Sequence, residues 1–187
     1  MFTKRDAWGR IARQSTDQGN PMTTNDNLAQ AFAGESQANR KYLAFAEAAA
    51  KDGLPEIAKL FRAVAAAETI HAHAHLRAMG GIKATAENLR EAISGEKHEF
   101  EEMYPGFIAT AEAEGARAAM VSMRNAMEVE MIHHGLFEAA LAAVEAGRDL
   151  PEAAIHVCGI CGHTEIGDAP EKCPVCGAKA GKYAEIA

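Results

Sequence analysis

The sequence lacks the features that would place the protein on nucleic acid or in a membrane. No basic stretch is longer than two residues, and 26 acidic against 19 basic side chains give a formal net charge of −7. Nucleic acid and anionic lipid both select clustered positive charge, so neither is expected as the main partner. No apolar run approaches the roughly 18 residues of a membrane span. The first residues also lack the apolar core of a secretory signal, which predicts a cytoplasmic protein.

The cysteines are few and are confined to one part of the chain. All four lie between residues 158 and 176, in two C-x-x-C pairs that eleven residues separate: Cys158 with Cys161, and Cys173 with Cys176. In a reducing cytosol this spacing is typical of a metal site rather than of disulfides. Four thiolates in a tetrahedral arrangement suit zinc and a single iron alike, and the spacing alone favours zinc.

The composition divides the chain into four regions. Residues 1–23 are polar and turn-prone, and we expect them to form a mobile extension. Residues 24–146 are rich in Ala, Glu, Leu, Met and Arg, which favour helix. A linker over residues 147–155 leads to residues 156–187, which contain the cysteines. This last region is too short to build a core of its own, so it needs a metal as a staple.

Turn signals divide the helical region into four helices. The breaks are Asp52-Gly53-Leu54-Pro55, Gly80-Gly81 and Gly115. They predict helices over residues 24–51, 54–79, 85–114 and 116–146. Because the connections are short, neighbouring helices should be antiparallel, and the sequence therefore predicts a four-helix bundle.

Charged side chains interrupt the apolar stripes of these helices. Each stripe recurs at spacings of three and four, as Phe45, Ile57 and Val64 illustrate. Seven stripe positions hold a carboxylate or an imidazole instead: Glu35, Glu68, His71, Glu96, Glu99, Glu130 and His133. Burying an unpaired carboxylate costs several kcal/mol, and no Arg or Lys occupies these inward positions. We therefore expect a pair of divalent metal ions among them.

The heights of these residues along the helices agree with a shared site. Glu35 lies 16 residues before Lys51 and Glu68 lies 13 after Pro55, so at about 1.5 Å per residue the two stand near one level. The second pair of helices repeats the pattern, with a Glu and then a Glu-x-x-His 34 residues later. The i, i+3 spacing places each Glu and His on one face. A single Glu-x-x-His is usually a solvated helix face, whereas two at matched heights favour metal binding.

Taken together, these motifs resemble a rubrerythrin, in which a ferritin-like di-iron domain precedes a rubredoxin-like domain. The resemblance covers the chain from residue 24 onward, and residues 1–22 have no counterpart. The segments that carry it are Ala33-Gly34-Glu35-Ser36-Gln37, Glu68-Thr69-Ile70-His71, Gly95-Glu96-Lys97-His98-Glu99, Glu130-Met131-Ile132-His133 and the two cysteine knuckles. The implied fold is an all-α ferritin-like four-helix bundle with a small rubredoxin-like domain behind it.

The resemblance also implies a ligand set. Glu68 and Glu130 would bridge two irons, with these terminal ligands: Glu35, Glu96, Glu99, His71 and His133. One iron would exchange Glu99 for His71 on reduction, and the nearby His73 and His75 leave open which imidazole serves. Tyr42 and Tyr104 match tyrosines that this family places beside its metals, where they can donate hydrogen bonds or protons.

The implied activity is the reduction of hydrogen peroxide to water in protection against oxidative stress. The electrons would come from NAD(P)H, and a single iron held by the four cysteines would pass them on. Since no G-x-G-x-x-G nucleotide fingerprint is present, an external reductase or a rubredoxin must deliver them. A given preparation can instead hold zinc or another divalent metal.

We also expect a homodimer or a higher homo-oligomer. The cysteine tail begins only after the fourth helix has run about 20 Å beyond His133. The tail can fold back on its own chain, but an antiparallel partner would present it beside the metals with less strain. The Gly80-Gly81 connection is a possible hinge at which the two helical hairpins are exchanged between chains.

Two other classes of function fit the same residues. A ferroxidase or iron-handling protein would turn over iron with dioxygen and retain the ferric product. An interaction module with zinc in the cysteine tail would be colourless, whereas ferric thiolate absorbs strongly in the visible. Metal analysis with a visible spectrum separates these readings.

Overall fold

The computed structural model describes residues 22–186, and it confirms a mainly helical protein with a small strand domain that carries the four cysteines. The predicted mobile extension over residues 1–23 falls almost entirely on residues outside the described range. The helical elements are α1 (Thr24–Lys51), α2 (Pro55–Ala78), α3 (Thr85–His98), a π-helical turn (Glu99–Met103), α4 (Tyr104–Ala113) and α5 (Arg117–Glu145). The strands are β1 (Ile155–Cys158), β2 (Thr164–Ile166) and β3 (Tyr183–Glu185), with a 3-10 turn over Ala180–Lys182.

Capping chemistry sets the ends of the first two helices close to the predicted positions. Thr23 and Asp26 form a capping box, in which Thr23 Oγ1 accepts from the Asp26 N–H at 3.2 Å and Asp26 Oδ2 accepts from the Thr23 N–H at 2.8 Å. Gly53 adopts a φ of 74°, which a side chain would strain, and it allows the chain to reverse between α1 and α2. Pro55 then begins α2, where its missing N–H costs nothing.

The predicted helix over residues 85–114 is wrong in one respect, because a π-helical turn interrupts it. Pro105 has no N–H to donate to the carbonyl of residue 101, and its ring crowds the preceding turn. The helix accommodates this with a wider turn, in which the Tyr104 N–H bonds to the carbonyl of Glu99, five residues back. Tyr104 therefore lies one turn along the helix from Glu99.

The chain forms two compact units, one ending at Ile82 and the next beginning at Lys83. The division falls next to the Gly80-Gly81 connection, within the region of residues 24–146 that the sequence predicts to be helical.

The first unit is the α1–α2 hairpin. Alanines form most of the buried interface between its two helices, which we call the seam. Five of them are at most 7% exposed: Ala46, Ala49, Ala58, Ala65 and Ala72. Small side chains let the two helices approach closely, and Asn39 adds a polar clamp across the seam. Its Nδ2 group donates to the Ala65 carbonyl at 2.7 Å and to Thr69 Oγ1 at 2.8 Å.

The larger apolar side chains that the sequence predicts to be buried are exposed in this unit. Phe45, Ile57 and Val64 are 43%, 45% and 37% exposed. The physical reason is that two helices share a single seam, which the alanines already occupy. The stripe that contains the large side chains needs further helices to cover it.

In the second unit, α3 and α4 pack against α5, and the strand domain follows. The buried apolar side chains of this helical part include Ile108, Ala111, Val129 and Ala143. The three short strands form an antiparallel sheet in the order β2-β1-β3, with Val157 of β1 opposite Thr164 of β2 and Ala184 of β3. Strand β2 lies against α5.

Over residues 22–186, none of the helices combines the length and the apolar character that crossing a bilayer requires.

The alanine seam generates a stability prediction. Replacing Ala65, which is 1% exposed, by leucine should lower the free energy of unfolding by about 1–3 kcal/mol, because the added atoms overpack the seam. Ala66 is exposed on the same helix, and Ala66→Leu should change it by no more than about 0.5 kcal/mol. Chemical denaturation of the two full-length variants measures the difference, and equal effects at both positions would contradict the described seam.

Candidate metal centres

The first cluster of metal-binding side chains lies in the α1–α2 unit. It consists of Glu35 from α1 with Glu68 and His71 from α2, and one ligand atom from each lies within 4.8 Å of the others. His71 Nδ1 is 3.0 Å from Glu68 Oε2, as the i, i+3 spacing of the two residues allows. The Glu68 side chain is 15% exposed and that of His71 is 56% exposed. The neighbouring His73 and His75 do not join this cluster at that distance.

The second cluster lies in the unit that begins at Lys83. It consists of Glu96 from α3 with Glu130 and His133 from α5, again within 4.8 Å of one another. His133 Nδ1 is 2.9 Å from Glu130 Oε2 and 3.9 Å from Glu96 Oε1. These side chains are only 16% to 25% exposed. The second cluster thus repeats the first, with two carboxylates and one imidazole.

The donor set of each cluster fits a first-row divalent metal such as ferrous iron. Carboxylate oxygen and imidazole nitrogen are ligands that such ions accept readily. The electrostatics of the second cluster agree, because burial, and then the negative charge of Glu130, raise the pKa of Glu96. Two carboxylates held this close disfavour ionisation of each other, and a bound cation removes that penalty.

Glu99 and Tyr104 lie near the second cluster without completing it. Glu99 does not join either cluster at the 4.8 Å limit among the described residues. Burial, followed by the charges of Glu99, Glu130 and Glu96, raises the pKa of Tyr104. The phenol of Tyr104 therefore stands close to these carboxylates and keeps its proton.

Tyr42 lies in the first unit, in a group of aromatic rings. Its ring centroid is 6.3 Å from that of Phe45 and 6.2 Å from that of Phe61. Phe45 and Phe61 meet edge to face at 5.6 Å. This packing fixes the position of the Tyr42 ring on the hairpin.

The four cysteines form one cluster, as the two C-x-x-C pairs predict. Their Sγ atoms all lie within 4.8 Å of one another, with Cys158 and Cys176 at 3.8 Å and Cys161 and Cys173 at 3.6 Å. Cys158 is 1% exposed and Cys173 is 2% exposed. All four are free of disulfides.

The protonation of the thiols shows why this cluster suits a cation. At Cys173 burial acts against ionisation, but hydrogen bonds from the Tyr183 hydroxyl and from backbone N–H groups outweigh it and lower the pKa to about 6. Burial raises the pKa of Cys161 to about 12 and also raises that of Cys176. Four thiols gathered within 4.8 Å of one another offer a tetrahedral thiolate donor set, which suits iron or zinc.

The structure adds a contact that the sequence analysis missed. Thr164, the first residue of β2, lies with its Oγ1 atom 3.0 Å from His133 Nε2. The tail therefore reaches the second cluster of its own chain. The linker makes this possible, because its nine residues can span about 30 Å and α5 continues only about 18 Å beyond His133. A contact between residues 31 positions apart leaves no local signal in the sequence.

Comparisons with known proteins bear on both metal centres. Residues 26–141 match the rubrerythrin family, and residues 156–184 match the rubrerythrin rubredoxin-like domain. Rubrerythrin-2 of Clostridium acetobutylicum is 34% identical over 178 residues, which cover 88% of this chain and 96% of that protein. Nigerythrin of Nitratidesulfovibrio vulgaris is 36% identical, with 82% of each chain covered.

Solved structures of nigerythrin also resemble this chain. Nigerythrin in a partially reduced state is 31% identical, with a TM-score of 0.53 and coverage of 92% of this chain and 91% of that one. The fully reduced, all-ferrous state of nigerythrin has the same identity and TM-score. The two matched regions contain both carboxylate clusters and all four cysteines. The chain belongs to the rubrerythrin family of di-iron oxidoreductases.

Proposed function

We propose that the protein is a non-haem di-iron peroxidase that reduces hydrogen peroxide to water and so protects the cell against oxidative stress. The observation that carries the proposal is the contact between Thr164 of the cysteine domain and His133 of the second cluster. This contact supports electron transfer from a single iron in the cysteine domain to the metals of the carboxylate site. Electrons from NAD(P)H would enter through a separate reductase or a rubredoxin. The four free cysteines favour a reducing, cytoplasmic location.

The proposed ligand set draws on both clusters. Glu68 and Glu130 would bridge two irons, with these terminal ligands: Glu35, Glu96, Glu99, His71 and His133. Cys158, Cys161, Cys173 and Cys176 would hold one further iron. When bound, the irons supply the electrons for cleavage of the peroxide O–O bond. That a relative was solved in an all-ferrous state supports iron as the metal.

Two tyrosines would donate hydrogen bonds or protons near the metals. Tyr104 keeps its proton because burial and the neighbouring carboxylates raise its pKa. It is therefore suited to donate a hydrogen bond or a proton to an oxygen bound beside Glu96 and Glu130. We assign the same role to Tyr42, which is fixed by Phe45 and Phe61.

We further propose a homodimer in which the helical hairpins are exchanged at Gly80-Gly81. Each compact unit supplies two carboxylates and one imidazole, and the proposed ligand set draws on both groups. The exposed stripe with Phe45 and Ile57 supports a covering partner. Gly80 adopts a φ of 67°, which glycine takes without strain.

The first prediction from this proposal tests the ligand set. Glu68→Ala and Glu130→Ala should each abolish dinuclear iron binding and leave the four-cysteine centre filled, because a bridging carboxylate serves both ions and the tail folds around its own metal. Glu128 is exposed on the same helix as Glu130, so Glu128→Ala is the control and should retain both centres. Metal analysis with visible spectroscopy measures the outcome, and two irons retained in either bridging variant would contradict the assignment.

The second prediction separates chemistry from electron delivery. Cys158→Ser should stop steady-state peroxide reduction driven by NAD(P)H and a reductase. A single oxidation of the pre-reduced carboxylate site by peroxide should remain largely unchanged, because that step needs no electron from the tail. Stopped-flow and steady-state assays on the same preparation measure the two rates. An unaltered steady-state rate would mean that the tail is structural, and a colourless, zinc-filled tail would point the same way.

The third prediction tests hairpin exchange. Glu68→Ala damages the first unit and Glu130→Ala the second, so each variant alone should be inactive. If hairpins are exchanged, a co-refolded equal mixture should regain about a quarter of the wild-type activity, since half of the dimers are mixed and each has one intact site. Mixed dimers that form without activity would show that both clusters of a site come from one chain.

A second mixture reports on the route of electrons. Cys158→Ser and Glu130→Ala both lie in the unit that begins at Lys83. Because Thr164 contacts His133 of its own chain, this pair should not regain activity. Recovery would mean that the tail serves the cluster of its partner.

A further inference from the structure

The hydrogen bonds around Thr164 have a defined direction. Thr164 Oγ1 lies 3.1 Å from the carbonyl oxygen of Gly162 and donates its proton to it, since a carbonyl can only accept. Towards His133 Nε2, at 3.0 Å, the same hydroxyl can therefore act only as an acceptor. The hydrogen of this bond must be carried by Nε2 of the His133 ring.

This direction decides which ring nitrogen faces the carboxylates as a metal ligand. A neutral imidazole with its hydrogen on Nε2 has its lone pair on Nδ1. Nδ1 of His133 is the atom that lies 2.9 Å from Glu130 Oε2 and 3.9 Å from Glu96 Oε1. The lone pair thus points to the position that a cation shared with these carboxylates would occupy.

Thr164 is held in place from both sides. As the first residue of β2 it pairs with Val157 of β1, and its β-branched side chain has few χ1 options. Gly162, two residues earlier, adopts a φ of 89° and lies beside α5, where a Cβ atom would be in ordinary van der Waals contact with Val129 Cγ1 at 3.8 Å. Val129 is 2% exposed and lies one residue before Glu130. The cysteine domain therefore packs against α5 beside the contact between the Thr164 hydroxyl and the His133 ring.

We propose that Thr164 is a positioning residue for the second metal cluster: its hydroxyl, supplied by the cysteine domain, fixes the His133 ring in the tautomer and orientation that present Nδ1 to the metal. The inference deepens the proposed function and rests on its assignment of His133 as a ligand. Hydrogen bonds of this kind to a ligating histidine commonly raise metal affinity 10- to 100-fold. The His71 side chain, 56% exposed in its own unit, offers an internal comparison.

The test uses full-length protein whose cysteine site is already filled, titrated with Zn²⁺ as a diamagnetic probe. Thr164→Val removes the hydroxyl at nearly constant shape and should weaken Zn²⁺ binding at the carboxylate site by about 10-fold or more. Thr164→Ser keeps the hydroxyl and should restore affinity to within about 3-fold of the wild type. The metal content of the cysteine site should be the same in all three proteins.

A second readout does not depend on affinity. Long-range ¹H–¹⁵N NMR of the zinc-loaded protein should show the His133 Nε2–H protected from solvent exchange in the wild type and in Thr164→Ser. In Thr164→Val that proton should exchange faster, while the signals of His71 stay unchanged.

The outcomes separate this inference from the proposed function. Unchanged affinity and unchanged His133 exchange in Thr164→Val would overturn it, and so would an equal loss in Thr164→Ser, which would indicate packing alone. Glu130→Ala in the same titration tests the ligand set itself. Loss of binding in Glu130→Ala with none in Thr164→Val leaves the di-iron assignment standing and refutes the role of Thr164.

Discussion

The structure depends on carboxylates that stand on sheltered helix faces. Glu68 and Glu130 have side chains only 15% and 16% exposed, and each has a histidine nitrogen within 3.0 Å. Burial, and then the negative charge of Glu130, raise the pKa of Glu96, as expected where carboxylates lie this close together. A shared cation relieves this repulsion, because it pairs several carboxylates at once. The need for that cation explains why charged residues occupy positions where an ordinary bundle has leucine.

Local backbone geometry then arranges the groups that act beside the clusters. Pro105 forces a wide turn, and that turn sets Tyr104 one turn from Glu99. The same tyrosine senses the charges of Glu99, Glu130 and Glu96. π-helical turns are rare in general and frequent at functional sites, where they redirect one side chain without ending the helix. Here the redirected side chain is a phenol that keeps its proton.

The cysteine domain has two relations to the second cluster. As a metal centre it brings four Sγ atoms within 4.8 Å of one another, close enough for one ion. As a neighbour of α5 it supplies a hydroxyl to a histidine of the carboxylate cluster. The short linker lets the chain return along α5, and Gly162, with a φ of 89°, makes a turn beside Val129 that other residues rarely adopt. The cysteine cluster and the second carboxylate cluster are therefore joined through one contact, between Thr164 and His133.

What the sequence by itself determined is local. Helix ends at Thr23, Gly53 and Pro55 follow from capping and turn chemistry, and the two Glu-x-x-His motifs and C-x-x-C pairs identify their clusters because ligands at such spacings meet on one face or in one knuckle. The tertiary structure decided the rest, since packing depends on which surfaces meet. Packing buried Ala65 and its neighbouring alanines between α1 and α2 and left Phe45 exposed. It also placed Thr164 in contact with His133, 31 residues away in the sequence. The helix periodicity could not predict this contact, because it forms only when the linker folds and brings the cysteine domain against α5.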